Sequence, residues 1–154
     1  MSKKRRLKLI AICLLVVLAI AAVFWSPAAR IRRAERAALA QLGKPYVFGA
    51  AGPDSFDCSG LMKYAYAKVH VNLFHNTRTV AADEQYQTVS DPSQLRRGDL
   101  VYFNTVSSSR KIDHVGLWLG DNRFVHASSA EGEVVISEFD ERWQKRFVLA
   151  KRIL

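Results

Sequence analysis

His114-Val115-Gly116-Leu117-Trp118-Leu119-Gly120-Asp121-Asn122-Arg123-Phe124-Val125-His126-Ala127 reads as two short strands folded back on each other across a tight turn. The runs His114 to Leu119 and Arg123 to Ala127 are apolar and rich in β-branched and aromatic residues, and Gly120-Asp121-Asn122 between them is turn chemistry. The same pattern recurs on both sides. Leu100 to Phe103, Glu133 to Ser137 and Phe147 to Ile153 also read as strands, separated by Ser107-Ser108-Ser109 and Glu131-Gly132.

The period is different upstream. Ser26-Pro27 caps and opens a helix, Ile31, Ala34, Ala38 and Leu42 keep helical spacing, and Gly43 stops it. Residues 44–57 are turn-rich. Ser59 to Val69 then predicts a helix with Leu61, Ala65 and Val69 on one stripe and Tyr64 beside it, and Thr77 to Tyr86 a shorter one. Helices first and consecutive strands second argue an α+β fold with an antiparallel sheet, not alternating βαβ units.

Further upstream, Leu9 to Trp25 is an unbroken apolar run behind Lys3, Lys4, Arg5, Arg6 and Lys8. About 17–25 apolar residues span a hydrocarbon core, so residues 1–25 are expected to be a membrane anchor entering from the cytoplasm. A cleaved signal ending near Ala19-Ile20-Ala21 is the alternative. Arg30, Arg32, Arg33 and Arg36 follow the run, but the denser, acid-free block precedes it. The main domain, 26–154, is therefore placed outside the cytoplasm.

With 154 residues, 49% hydrophobic and 24% charged, the chain holds one globular domain besides this segment. Five of its 23 Lys and Arg lie between Lys3 and Lys8, and no acid precedes Glu35. The remainder carries 18 basic against 14 acidic residues. That small surplus does not point to nucleic acid. It suits work near an anionic polymer. Of the two cysteines, Cys13 lies in the apolar run, so Cys58 is a lone thiol in an oxidising compartment, the kind expected to be reactive.

Asp57-Cys58-Ser59-Gly60 puts that thiol where a loop enters a helix. Free N–H groups and the positive end of the dipole there are expected to lower the Cys58 pKa and to stabilise an oxyanion. A thiol nucleophile needs a base, and the base an orienting partner. His114 and His126 supply one pair. His70 and His75 sit in a polar loop and read as ordinary surface residues. A structural Cys, core histidines, or a Cys58/His114/His126 zinc site are the alternatives, although no metal-type spacing supports the last. No cofactor motif is visible.

Five segments in order resemble the NlpC-like family of bacterial cell-wall cysteine peptidases, relatives of papain. They are Gly43-Lys44-Pro45-Tyr46-Val47-Phe48-Gly49, Phe56-Asp57-Cys58-Ser59-Gly60-Leu61, Gly98-Asp99-Leu100-Val101-Tyr102-Phe103, His114-Val115-Gly116 and Phe124-Val125-His126-Ala127-Ser128. The resemblance runs from about Ala34 to Leu154. It implies a papain-like α+β fold and hydrolysis of amide bonds in peptidoglycan stem peptides. Cys58 would be nucleophile, His114 base and His126 the orienting third residue. Tyr46 would lie near the oxyanion, and Asp57 and Ser59 beside the substrate. The expected partners are stem peptides and the inner membrane, the expected state a monomer. A non-catalytic wall- or partner-binding module and an acyl or amide transferase on the same fold are the alternatives. The chain departs from the family at Phe48 and Gly49-Ala50 (usually Trp and a Gly pair), at Leu73-Phe74-His75 (often Leu-Pro-Arg) and at Arg97 (commonly Pro).

The hairpin carries one geometric expectation. A regular two-residue loop at Asp121-Asn122 would pair Leu117 with His126 and put the histidines on opposite faces. Pairing Gly116 with His126 puts them on one face, diagonal to each other. An odd-length loop or a bulge is therefore expected, with Asn122 left-handed.

Overall fold

A computed structural model describes residues 3–105 and 111–154; the expected turn at Ser107-Ser108-Ser109 lies outside the described residues. The chain divides into two units, Met1–Arg30 and Ile31–Leu154. The first is dominated by helix α1, Lys3–Phe24, 22 residues long and with no buried side chain. At 1.5 Å per residue it reaches about 33 Å. By length and composition it is able to cross a bilayer. Ser26 Oγ accepts the Ala29 N–H (3.3 Å) and opens α2, Pro27–Leu39.

In the second unit, six strands form one antiparallel sheet in the order β1-β6-β2-β3-β4-β5. They are β1 (Gln87–Val89), β2 (Leu100–Phe103), β3 (His114–Gly120), β4 (Arg123–Ser128), β5 (Glu133–Glu138) and β6 (Phe147–Arg152). Alternate residues of a strand face opposite ways. Leu100, Tyr102, Val115, Leu117, Val125 and Ala127 therefore build one core, with Ala34 and Ala38 of α2 and Leu61 and Ala65 of α3, Cys58–Ala67. Val101, Phe103, Trp118 and Phe124 build a second core on the other face, closed by Phe139 and by Trp143 of α5, Glu141–Arg146. The Arg97 that stands where a proline is common forms a two-pronged ion pair with buried Glu35 of α2 (3.1 and 2.7 Å). It ties the loop before β2 to the helix.

The β3–β4 hairpin meets the expectation through a bulge. Leu117 pairs with Val125 and Trp118 with Phe124, after which the register shifts to Gly120–Arg123. Leu119 is the extra residue. The turn itself has two residues, Asp121 and Asn122, both left-handed (φ 51° and 54°), as such hairpins require. The register aligns Gly116 with His126, and a Cβ at Gly116 would lie 3.3 Å from the His126 Cβ and 2.6 Å from the Phe124 ring.

Three elements differ from the sequence reading. Helix α4 is only Thr77–Ala82. Asp83 leaves helical geometry, and its side chain accepts the Gln85 N–H (3.0 Å), the local competition that makes Asp a helix breaker. Strand β1 is three residues without an alternation long enough to read. Helix α5 holds a single apolar residue, Trp143, so it has no hydrophobic period. Its signal was polar: Asp140 caps it through the Trp143 N–H (3.0 Å), Glu141 starts it, and Lys145 and Arg146 end it.

Candidate functional site

Cys58 is the first residue of α3 because Asp57 is an effective cap. Asp57 Oδ1 accepts the Gly60 N–H (2.6 Å) and the Ser59 hydroxyl (3.1 Å), and Oδ2 accepts the Gly49 N–H (2.9 Å). His75 Nε2 lies 2.9 Å from both carboxylate oxygens, so it must carry a proton, since a carboxylate only accepts. Gly60 cannot be larger: a Cβ there would fall 2.0 Å from the Ala50 carbonyl oxygen. The thiol opens into a cleft of about 340 Å³ lined by Tyr46, Asp57, Cys58, Ser59, His75 and Thr77, among others. Phe48, on the rim, is 89% exposed.

Cys58 Sγ is 3.6 Å from Thr77 Oγ1 and meets the backbone N–H groups of Ser59 and Val115. Val115 follows His114 in β3, so the backbone brings the base position against the thiol. Among the described residues, the thiol's hydrogen-bonding side chain is Thr77 and not an imidazole.

The two histidines meet directly. His114 Nε2 is 2.7 Å from His126 Nδ1, with the rings nearly perpendicular at 85°. His126 Nε2 continues to Ser137 Oγ at 2.9 Å. Aromatic rings enclose the pair. Trp143 stacks on His114 (centroids 5.9 Å, 27°) and meets His126 edge-on (5.4 Å), and Phe124 packs on His126 (4.8 Å).

That enclosure sets the charge states. Burial lowers the His114 pKa to about 4, against a smaller upward pull from Asp113. Burial, then His114, then Arg142 lower His126 to about 3. Both rings are neutral near pH 7, as a base and its orienting partner must be. Burial also pushes the Cys58 thiol up, and the Asp57 charge adds to it. This outweighs the donors from Thr77, Val115 and Ser59. The acidic thiol expected from a helix N-terminus is therefore corrected: desolvation exceeds the hydrogen bonds that favour the thiolate in the resting site. Tyr46 is raised by burial first, then by Cys58 and Asp57.

The structure thus brings His114 onto His126, gathers Tyr46, Asp57, Cys58 and Ser59 around one cleft, and leaves His70 outside it. Sequence reasoning missed four contributors. His75 was read as surface, yet it stands where the family often has Arg, and that departure was its signal. Thr77, Ser137 and Trp143 had no signal at all, because only the folded register brings them to the site. Among the described residues no group of three His, Cys, Asp or Glu side chains is placed to hold a metal ion. His114 Nε2 and His126 Nδ1 are aimed at each other rather than at a shared third point. Chemically the arrangement offers a thiol under helix-end N–H donors, a neutral buried imidazole pair and an open polar groove.

Comparison with known proteins points the same way. The NlpC/P60 family pattern matches residues 43–152. The probable endopeptidase YafL of Escherichia coli K12 is 40% identical over 116 residues, 74% of this chain and 46% of that protein. The murein DD-endopeptidase MepH of the same strain is 33% identical over 139 residues, 82% of this chain and 48% of its own. The peptidoglycan hydrolase RipB of Mycobacterium tuberculosis superposes with a TM-score of 0.64 at 28% identity, over 81% of this chain and 65% of that one. The chain spans about half the length of the curated relatives it matches.

Proposed function

This chain belongs to the NlpC/P60 family, and on that footing we propose that it is a cysteine endopeptidase cutting amide bonds in peptidoglycan stem peptides outside the cytoplasm. The observation that carries the reading is the neutral His114–His126 pair at 2.7 Å, with His114 on the strand whose next residue, Val115, touches the Cys58 thiol. Names of relatives such as a murein DD-endopeptidase support the substrate class.

The steps follow from the groups present. The peptide carbonyl enters the cleft above the N-terminus of α3. His114 takes the thiol proton as Cys58 sulfur bonds to the carbonyl carbon. Because the resting thiol is neutral, transfer and attack are coupled. The oxyanion that forms is met by N–H groups at the helix start and by the Tyr46 hydroxyl. The His114 imidazolium then protonates the leaving amine, the C–N bond breaks, and a thioester remains on Cys58. Water attacks the thioester, giving its proton to His114. The carboxylic acid leaves and the thiol is restored. His126 holds the ring of His114 throughout. Asp57 and Ser59 line the substrate side, with Asp57 set by four partners. Residues 1–25 tether the domain to the inner membrane, with Lys3–Lys8 kept on the cytoplasmic side.

Purified wall fragments incubated with the wild type and with Cys58→Ala test this. New amine ends in stem peptides with the wild type alone are expected. Intact bound peptides would mean a binding module, and an acyl group moved to an added amine would mean a transferase.

A further inference from the structure

We propose that Ser137 is a positioning residue, whose hydroxyl oxygen holds His126 in the one tautomer that leaves His114 able to receive the thiol proton. The inference rests on the catalytic reading above and extends it to an edge strand that no motif reaches.

The protons along His114, His126 and Ser137 are linked. Two neutral imidazoles joined at 2.7 Å share one proton between His114 Nε2 and His126 Nδ1. Either side can own it. If His126 Nδ1 carries it, His114 is protonated on its other nitrogen, Nδ1, and has no lone pair for the thiol. His126 Nε2 is then an acceptor, and Ser137 donates to it. If His114 Nε2 carries it, His114 Nδ1 is a free base and His126 Nδ1 accepts. His126 must then hold its own proton on Nε2, and that N–H donates to Ser137 Oγ at 2.9 Å. A hydroxyl can serve as donor or acceptor. The reaction removes the ambiguity. Once His114 has taken the thiol proton, both its nitrogens bear hydrogen, so His126 Nδ1 has to accept and Ser137 has to accept in turn.

Geometry makes Ser137 suited to this. In the β4–β5 ladder His126 faces Val135, and Phe124 faces Ser137. Ser137 is thus two residues along from Val135, on the same face and diagonal to His126. Ser137 is half-buried, so its own hydroxyl hydrogen can turn to water while the oxygen faces in. The rings of Phe124 and Trp143 cover His126. Without the Ser137 oxygen, an inward-facing Nε2–H would have only a less well-placed water to meet beside aromatic carbon. Removing the partner that orients a metal-bound histidine costs about 10- to 100-fold, and the same orienting role is assigned to Ser137 here. With water able to replace the hydroxyl in part, about tenfold is expected here.

The test uses the full chain in detergent micelles, with two readouts. Long-range proton–nitrogen correlation spectra report the tautomer of each ring, and stem-peptide hydrolysis reports kcat and KM. In the wild type, His126 and His114 are both expected as Nε2–H. In Ser137→Ala the His126 tautomers should mix, kcat should fall about tenfold and KM should hold within about twofold. Ser137→Thr should restore the tautomer and most of the rate. His126 protonated on Nδ1 in the wild type, or a Ser137→Ala protein with unchanged tautomer and kcat, overturns the proposal and leaves Cys58 and His114 untouched. Failure of the catalytic reading shows separately, as full turnover in Cys58→Ala, and it would take the proposal with it.

Discussion

The two faces of the sheet handle polar groups in opposite ways. On the α3 side the polar cluster is over-supplied: Asp57 alone takes bonds from Gly49, Ser59, Gly60 and His75, and the cleft beyond it is open to water. On the α5 side His114 and His126 have each other, Ser137, and aromatic rings. The first arrangement fixes a helix end and leaves room for a charged, hydrated substrate. The second strips water from two bases and keeps them neutral. The strand start at His114 joins the two, since Val115 belongs to the helix-side core and His114 to the other. Keeping the base dry on the strand that meets the thiol, beside a solvated groove, lets each side meet its own requirement, at the expense of a thiol that burial makes less acidic.

The largest expected effects come from cutting the link between the faces. Cys58→Ala and His114→Ala should each lower kcat by about 10³-fold or more while the fold persists, and the double variant should be hardly worse than either, because groups that act as a unit are not additive. Multiplying losses in the double variant would mean two independent roles. Next come the two glycines. Gly60→Ala drives a Cβ to 2.0 Å from backbone oxygen and should cost about 3 kcal/mol. Gly116→Ala meets the Phe124 ring at 2.6 Å and should cost about 1–3 kcal/mol, since rings shift more readily than backbone. Urea unfolding ranks them, and the reverse order would show that the histidine side is the stiffer one.

A smaller loss is expected at the orienting position. His126→Ala should reduce kcat about 10- to 100-fold, and His126→Asn should recover part of it by accepting the same bond. Equal loss at His126 and His114, with wild-type activity abolished by a chelator, would favour a metal site instead. The burial of the pair also shows in stability against pH. His114 and His126 titrate at about 4 and about 3 when folded, against about 6.5 in an unfolded chain. The unfolded state binds more protons in between, so stability is full above about pH 6.5 and falls as pH drops toward 4. Asp113 moderates this at His114, and Arg142 steepens it at His126. Urea midpoints at pH 7 and pH 5 should differ less in His126→Gln than in the wild type. Equal differences would mean that His126 is hydrated.

Much of this division was legible in the sequence. The apolar runs Leu100–Phe103 and His114–Leu119, the loop that enters a helix at Asp57-Cys58 and the need for an odd-length loop or a bulge between His114 and His126 are all legible in the sequence, so the α+β class and a His114/His126 pair on one face could be anticipated. The cover over the histidines could not. Trp143 stands alone among charged residues in α5, and Ser137 is an unremarkable polar residue on an edge strand. Both acquire meaning only when register sets them against His126. The acidity of Cys58 differs from the sequence expectation for a related reason. A helix start is visible in sequence, whereas the burial that outweighs it belongs to the assembled core.

The most direct test of the thiol mechanism is to alkylate Cys58 in stages and measure, in the same samples, the fraction modified by mass spectrometry and the stem-peptide hydrolysis remaining. A Cys13→Ser background confines the labelling to one thiol. Activity should fall in direct proportion to Cys58 occupancy and reach zero at full labelling, and labelling at pH 6 should be no faster than at a free thiol because the buried thiol rests neutral. Protein fully alkylated at Cys58 that still cleaves stem peptides would contradict the account.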